Sequence, residues 1–581
     1  MPSPLQMTCV LVRSTPLRSR IHPSHVLRPT RGYASSSSSS RSYAVAGAAT
    51  AGAMAALALL GVGYTGHVRL DSPAEADASK RRGGQPDSLT GLESRDMMFQ
   101  LQTNDSPGDS AGRQAESYIT MEEVARHNLS QDAWVVVDGK VYDVTDFHKF
   151  HPGGSGIIVG NAGRDVTELF RPVHPPGTLE NNLAPENFKG VIDPKEAEAA
   201  RLAFETEQQR LQKARNDLPP VETMLGIEEL QEAAKTCMTP GAIDYYAAGA
   251  LDSYSVVNNR ESFRKCRLVP RVLRDVSAVR PQTKIFGVDS ALPIYVSPSS
   301  NALLGHPDGE LNITRGASAT GIVQGISAVA SYSLADILNE KDQMDEASGR
   351  KMGMVYQVYF QRDRSKTEAQ VRQAVEGGVN ALVLTVDSNV GDNRQSTEKL
   401  KGSRFSAEPG PRMGPITETP TFHDPSLNWD DIVWLQSLAQ GLPIYLKGVC
   451  HIDDVRRARD MGLAGCILSN HGGRQLDQRV TRILMRIEKL TDPQLLKDFE
   501  VYIDGGIRRG SDVLKAVALG ARGVGLGRPF LFAQAAYGDK GVIRAVRILE
   551  NEIVSAMRLL GLTSIDQVDP TMIECLQEMW K

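Results

Sequence analysis

Ile444-Tyr-Leu-Lys-Gly-Val449, then Asp453–Met461, then Gly465-Cys-Ile-Leu-Ser-Asn470 decide the fold. Two strand-length apolar runs flank a stretch with helical period, and runs this unbroken mark strands buried on both faces. Working outward, similar runs recur at Ile294–Pro298, Ile322–Ser327, Met354–Phe360, Ala381–Asp387, Val501–Gly506 and Gly523–Gly527. Helical stretches such as Asp308–Thr320, Lys366–Glu376 and Ser511–Leu519 lie between them. Eight β/α units predict an α/β fold, a parallel TIM (β/α)₈ barrel, within residues 219–581. Such barrels work at the C-terminal ends of their strands. Tyr359, Thr385, Asp387, Lys447, His471, Asp504 and Arg528 all stand at those ends.

The last three strand ends carry the most chemistry. Strand seven runs into Asp504-Gly-Gly-Ile-Arg-Arg-Gly510 and strand eight into Gly525-Leu-Gly-Arg528. Glycines let backbone N–H groups approach phosphate oxygens, and arginine adds a fork of donors, so a phosphorylated cofactor is expected there. Strand six ends Ser469-Asn-His-Gly-Gly-Arg-Gln-Leu-Asp477. His471 suits a general base, with Asp387 orienting it, and Arg474 suits a bidentate clamp on a carboxylate. Lys447 suits negative charge building on a reduced cofactor ring. Taken singly, His471 could be a satisfied loop histidine and Arg474 a solvated charge.

Ahead of the barrel lies a smaller α+β module, residues 118–193. Thr120-Met-Glu-Glu123 reads as a capping box. Trp134 to Val144 reads as two strands around an Asp138-Gly139 turn. His151-Pro-Gly-Gly154 and His174 place two histidines on loops, 23 residues apart. With Ile157, Ile158, Val159, Leu169 and Phe170 between them, they could hold a haem iron from both sides, which suits electron transfer. His127 and His148 are expected at the surface. Pro194–Asn216, within a 194–218 connector, reads as a charged helix and a hinge.

Composition fits a folded protein: 41% apolar, 23% charged. Wholesale disorder and a polytopic membrane protein are excluded. Six scattered cysteines without a CxxC exclude a disulfide scaffold and a zinc ribbon. Residues 1–70 hold seven arginines, no lysine and no acid; the remainder carries 58 basic and 69 acidic side chains, a net of −11. That body does not suit nucleic acid and does suit a basic partner. The arginine- and serine-rich start has the composition of a mitochondrial presequence. Ala44 to Thr65, 22 uncharged residues, is long enough to span a bilayer. Together they predict sorting to the inner membrane or the intermembrane space. Residues 71–117 read as a linker without fixed structure.

Two resemblances sharpen this reading. Tyr118 to about Val191 resembles cytochrome b5 through its Trp-Val-Val and Val-Tyr-Asp-Val-Thr strands, His-Pro-Gly-Gly turn and Ala162-Gly-Arg-Asp-Val-Thr167 helix start. The resemblance implies haem b, with His151 and His174 as axial ligands. Residues from about 225 to 565 resemble the FMN-dependent 2-hydroxyacid dehydrogenase/oxidase family. The matching pieces are Asp244-Tyr-Tyr246, Tyr356-Gln-Val-Tyr359, Leu384-Thr-Val-Asp387, Leu446-Lys-Gly448 and the strand-six to strand-eight motifs above. The order leader, haem module, barrel resembles the flavocytochrome b2 type, which oxidises L-lactate and passes electrons to cytochrome c.

The barrel resemblance implies that Ser327, Gln357, Thr385, Lys447, Asp504, Gly506, Arg508, Gly527 and Arg528 bind FMN, with Ser297, Pro298 and Ser299 beside the flavin. It implies that Tyr245, Arg394 and Arg474 hold the substrate carboxylate, that Tyr359 meets the hydroxyl, and that His471 is the base backed by Asp387. Several positions depart from the family. Ser299-Ser300 replaces Thr-Ala, making the side-chain pocket more polar. Val329 stands where relatives place Leu or Trp, which widens it. Leu303 replaces a lysine, and Asn389-Val-Gly-Asp392 replaces Pro-x-Leu-Gly. The chain stops at Lys581, short of the tail that embraces neighbouring subunits in the fungal enzyme, so a homotetramer stays open. Lactate is one candidate, and a larger or more polar 2-hydroxy acid is another. An oxidase using oxygen, and a non-enzymatic haem electron carrier, are the remaining readings.

Overall fold

A computed structural model of the chain describes residues 118–129, 131–150, 158, 161–170, 177–388, 423–478 and 498–575. The expected leader, the 44–65 segment, the 71–117 linker, both expected haem ligands, Arg394 and Asp392 lie outside the described residues. Among the described residues no helix is long and apolar enough to cross a membrane.

The eight expected strands form one closed barrel. They are β1 (Ile294–Val296), β2 (Val323–Ile326), β3 (Met354–Val358), β4 (Ala381–Thr385), β5 (Ile444–Val449), β6 (Gly465–Leu468), β7 (Glu500–Asp504) and β8 (Gly523–Leu526). Every neighbouring pair is parallel, and β8 closes on β1 through Val524–Ile294, Gly525–Tyr295 and Leu526–Val296. Period two sorts the side chains. Tyr295, Val323, Val355, Val383, Tyr445, Ile467 and Tyr502 form an inner core. Ile294, Met354, Leu382, Leu446, Val501 and Val524 belong instead to the larger core that includes the helices.

A plug fills the inner core. The hairpin Thr283–Ile285/Val288–Ser290 turns at Phe286 (φ 51°) and Gly287 (φ 75°). Phe286 stacks on Tyr502 at 4.3 Å and meets Tyr295 and Tyr445 edge-on at 4.9 Å each. Its backbone N–H donates to the Tyr502 hydroxyl (2.7 Å), which donates to Glu500 (2.7 Å). Tyr445 also donates to Glu500 (2.8 Å), whereas the buried Tyr295 hydroxyl has no partner among the described residues.

The small module has Asp132–Val137 antiparallel to Lys140–Asp143 around the expected turn, with Asp138 at φ 53° and Gly139 at φ 75°. Thr120 Oγ1 accepts from Glu123 N at 3.1 Å, one half of the capping box. The histidine expectation needs correction. His148 is buried, and His127 stacks on Trp134 at 3.5 Å while its Nδ1 meets Asp132 at 2.6 Å. A turn histidine beside a tryptophan and a carboxylate has more to gain inside than in water.

Pro194–Asn216 is one continuous helix, capped by Asp193. The hinge expectation also changes. Glu196 near its start accepts from Met121 N (2.6 Å), and Arg215 near its end donates to Gly305 O (2.7 Å) and Ala535 O (3.2 Å). The connector is anchored at both ends. Finally, Cys266 and Cys575 form a disulfide across paired strands 309 residues apart, a pairing the scattered cysteines did not announce.

Candidate active site

A cleft of about 880 Å³, counting the part open to solvent, sits over the C-terminal ends of the strands. Its floor is the polar ends of β1 to β5. Ser297, Pro298 and Ser299 follow β1 and Ser327 follows β2, all lining the cleft. Gln357 on β3 ties three strands together: its Oε1 accepts from Ser327 Oγ (3.2 Å), and its Nε2 donates to Thr385 Oγ1 (2.8 Å) and Tyr359 Oη (3.2 Å). Thr385 therefore stands behind Gln357 rather than among the lining residues. Lys447 on β5 is 3% exposed, with Nζ 3.3 Å from Ser469 Oγ and 3.5 Å from Asp504 Oδ2. Asp504 Oδ1 is buried and has no protein partner.

His471 and Asp387 lie side by side. His471 Nδ1 lies 3.0 Å from Asp387 Oδ1. Burial and then Lys447 hold the imidazole below its usual value, against the pull of Asp387. A neutral ring leaves Nε2 free to take a proton. Gly448 explains part of the Leu446-Lys-Gly motif: a Cβ there would sit 2.5 Å from Asp387 Cγ. Arg474 lies over the Tyr245 ring at 4.9 Å and donates to Tyr245 O at 3.2 Å. Tyr245 Oη is 3.2 Å from Ser300 Oγ and accepts from Asn301 Nδ2 at 2.6 Å. Ser300, Val329 and Tyr359 line the cleft beside them. Burial raises the Tyr359 phenol, so it stays a proton donor.

The far end of the cleft is built for an anion. Arg508 is buried, and among the described residues it has no carboxylate ion pair: its Nη1 donates to Ile507 O, and its Nε has no acceptor. Burial and the neighbouring Arg260 push it down to about 9. A buried guanidinium this poorly paired is costly unless a ligand supplies negative charge. Gly506 and Gly527 line the same end, and a Cβ on Gly506 would lie 2.4 Å from Asn259 O. The orphan atoms of Asp504 and Arg508, the buried Lys447 and these glycines fit FMN. Arg528 also lines the cleft, but three of its N–H groups go to the carbonyls of Tyr246, Gly472 and Ala248 at 2.7–2.9 Å. Its main visible work is fastening the segment before the barrel to the His471 turn.

For haem, the described part of the small module offers an apolar face: Phe147, Ile158, Phe170, Leu179 and Leu183 pack half-buried against one core. These residues bracket the segments that carry His151 and His174, and an apolar face fits a porphyrin.

Barrel reasoning missed four residues. Val256, Asn259 and Arg260 reach the cleft from helix Tyr254–Arg264, which precedes the barrel, where strand-end logic does not look. His423 stacks on Tyr359 at 4.3 Å from beyond residue 422. An asparagine–arginine pair at 259–260 was the only available signal.

Comparison with known proteins gives two family matches: FMN-dependent dehydrogenase over residues 234–575, and cytochrome b5-like haem/steroid binding domain over residues 120–193. The chain is 39% identical to an L-lactate dehydrogenase (cytochrome) of Wickerhamomyces anomalus, over 78% of this chain and 80% of that one. It is 35% identical to glycolate oxidase 3 of Arabidopsis thaliana, over 60% of this chain and 95% of the relative. Among solved structures, the flavin-binding domain of baker's yeast flavocytochrome b2 matches with TM-score 0.57 at 37% identity, covering 63% of this chain and 90% of that one. A flavocytochrome b2 variant with pyruvate bound matches with TM-score 0.58 at 36% identity, over 64% of this chain and 91% of that one.

Proposed function

The chain belongs to the FMN-dependent dehydrogenase family and carries a cytochrome b5-like domain ahead of its barrel, and on that premise we propose that it oxidises a small L-2-hydroxy acid, L-lactate first, to the 2-oxo acid with cytochrome c as final acceptor. The observation that carries this is His471, held by Asp387 at 3.0 Å, lining the same cleft as Arg474 and the buried Lys447. When bound, FMN supplies acceptance of an electron pair and haem b supplies one-electron transfer onward.

The chain's own residues do the rest. Arg474 and Tyr245, with Arg394, hold the substrate carboxylate. His471 Nε2 takes the proton released as the carbinol becomes a carbonyl. Asp387 keeps Nδ1 protonated and offsets the imidazolium charge that develops. Tyr359 Oη faces the hydroxyl. Lys447, Asp504, Ser327 and Gln357 would seat the flavin's polar edge, with Thr385 supporting Gln357 from behind, and Arg508 with the Gly506 and Gly527 backbone would hold its phosphate. His151 and His174 ligate the haem iron. The names of the lactate- and glycolate-oxidising relatives support the substrate class, and the acidic body supports a basic acceptor.

We assign residues 1–70 as a mitochondrial leader with 44–65 an inner-membrane anchor, 71–117 as linker, 118–193 as haem domain, 194–218 as connector and 219–581 as flavin barrel, with the mature protein in the intermembrane space. The Cys266–Cys575 disulfide supports that oxidising compartment. A second substrate reading, a larger or more polar 2-hydroxy acid, has its own support: Ser300 places a hydroxyl in the side-chain pocket, and Val329 is 41% exposed.

Anaerobic stopped-flow mixing with L-lactate, glycolate, mandelate and longer 2-hydroxy acids tests both. Flavin bleaching followed by haem reduction is expected. Bleaching with the haem left oxidised would favour an oxygen-using oxidase.

A further inference from the structure

His471 sits on an unusual support. Its φ is 58°, followed by Gly472 at 65° and Gly473 at 82°, so three consecutive residues hold the left-handed region. For a side chain with a Cβ that conformation is strained and persists only where surroundings enforce it. His471 N donates to Ser469 Oγ (3.0 Å), and Gly473 N donates to both Asn470 O (2.9 Å) and Asn470 Oδ1 (3.1 Å). The preceding residue, Asn470, is 1% exposed. Its amide is matched by a second buried amide from outside the barrel. Asn259 Nδ2 donates to Asn470 Oδ1 (3.0 Å), and Asn470 Nδ2 donates to Asn259 Oδ1 (2.9 Å). Asn470 Oδ1 cannot be exchanged for its Nδ2, because Gly473 N also needs an acceptor there.

Asn259 belongs to helix Tyr254–Arg264, and the same helix is lashed to the turn at its start. Asp477 accepts from Ser255 N (2.8 Å) and Tyr254 N (3.3 Å), while Ala250 N donates to Gly473 O (2.9 Å). The turn is therefore held against an element that lies outside the strand repeat.

We propose that Asn259 is a positioning residue for His471: its reciprocal amide pair with Asn470 holds the left-handed turn that aims the imidazole at the substrate. The proposal rests on His471 being the base, as argued above. Asn259 acts on the placement of that base, and a small misplacement of a reacting group can cost a large factor in rate.

The test uses the holoenzyme and the variants N259A, N470A, N259A/N470A, N259D and H471Q, with L-lactate, or the best substrate of the panel. For N259A, kcat is expected to fall about tenfold or more, while KM and the FMN dissociation constant stay within about threefold. The double variant is expected to be no worse than the poorer single one, since both remove one device. If N259A does not fold, N259D carries the test: it keeps the shape and the bond from Asn470 Nδ2 but sets a carboxylate oxygen against Asn470 Oδ1, and a fall in kcat is again expected. Parental kcat in N259A or N259D overturns the proposal. So do additive losses in the double variant, or a loss of kcat matched by loss of FMN binding. H471Q separates the two levels: if it turns over at the parental rate, the base assignment fails, whereas an inactive H471Q with an unaffected N259A sinks only the role of Asn259.

Discussion

The balance at His471 is set by three neighbours with opposite effects. Burial and Lys447 lower its proton affinity, Arg474 lowers it further, and Asp387, 3.0 Å away, raises it. As the proposed base His471 would work when neutral, so activity is expected to rise with pH as the ring loses its proton. The acid limb of kcat/KM is therefore expected below the ordinary histidine value of 6.5. In D387N the raising contribution disappears, and the limb is expected to move to still lower pH. The plateau is expected to drop roughly a hundredfold, because the imidazolium formed in the reaction loses its counter-charge. Steady-state rates from pH 4.5 to 8 on both proteins check the two effects together; a limb that moves upward in D387N contradicts the geometry. His471, Asp387, Arg474 and Lys447 were legible from sequence because each lies in, or just beyond, a barrel strand whose run is visible in the sequence. Asn259 and His423 were not, because their place depends on long-range docking of segments outside the strand repeat.

The plug hairpin shows at the level of elements what strand patterns leave out. The eight strands and their helices were visible as runs and periods, and the observed bounds differ from the expected ones mainly where polar residues end a strand. Nothing local in Thr283–Ser290 says that Phe286 enters the barrel. Its position follows only once Tyr295, Tyr445 and Tyr502 face one another with space between them. Replacing Phe286 with Ala removes a fully enclosed ring and leaves a cavity, at a cost of about 3–5 kcal/mol. Because stability sits at the closed end of such barrels and chemistry at the open end, kcat of folded F286A is expected to stay near parental. Denaturant titration alongside kinetics checks this; unchanged stability would mean the ring is not the plug.

At the scale of the whole molecule, the chain enters and leaves the barrel through one clasp. Cys266 and Cys575 join Cys266–Leu268 to Ile573–Cys575, so one covalent bond links positions 309 apart in sequence. In the chain-entropy picture, closing a loop this long takes roughly 5 kcal/mol of freedom from the unfolded state. The same bond lies just beyond helix Tyr254–Arg264, which holds the His471 turn, but the turn is fastened independently by Asp477, Asn470 and Arg528. Loss of the bond should therefore weaken the fold more than it disturbs the site. C575S, or the parent protein under reductant, is expected to melt several degrees lower, with kcat within about twofold in the folded range. Thermal scans with and without reductant on parent and C575S check this. Reductant should shift the parent and leave C575S where it is; an equal shift in both would assign the effect to another thiol, and a fall in kcat preceding unfolding would tie the clasp to the site.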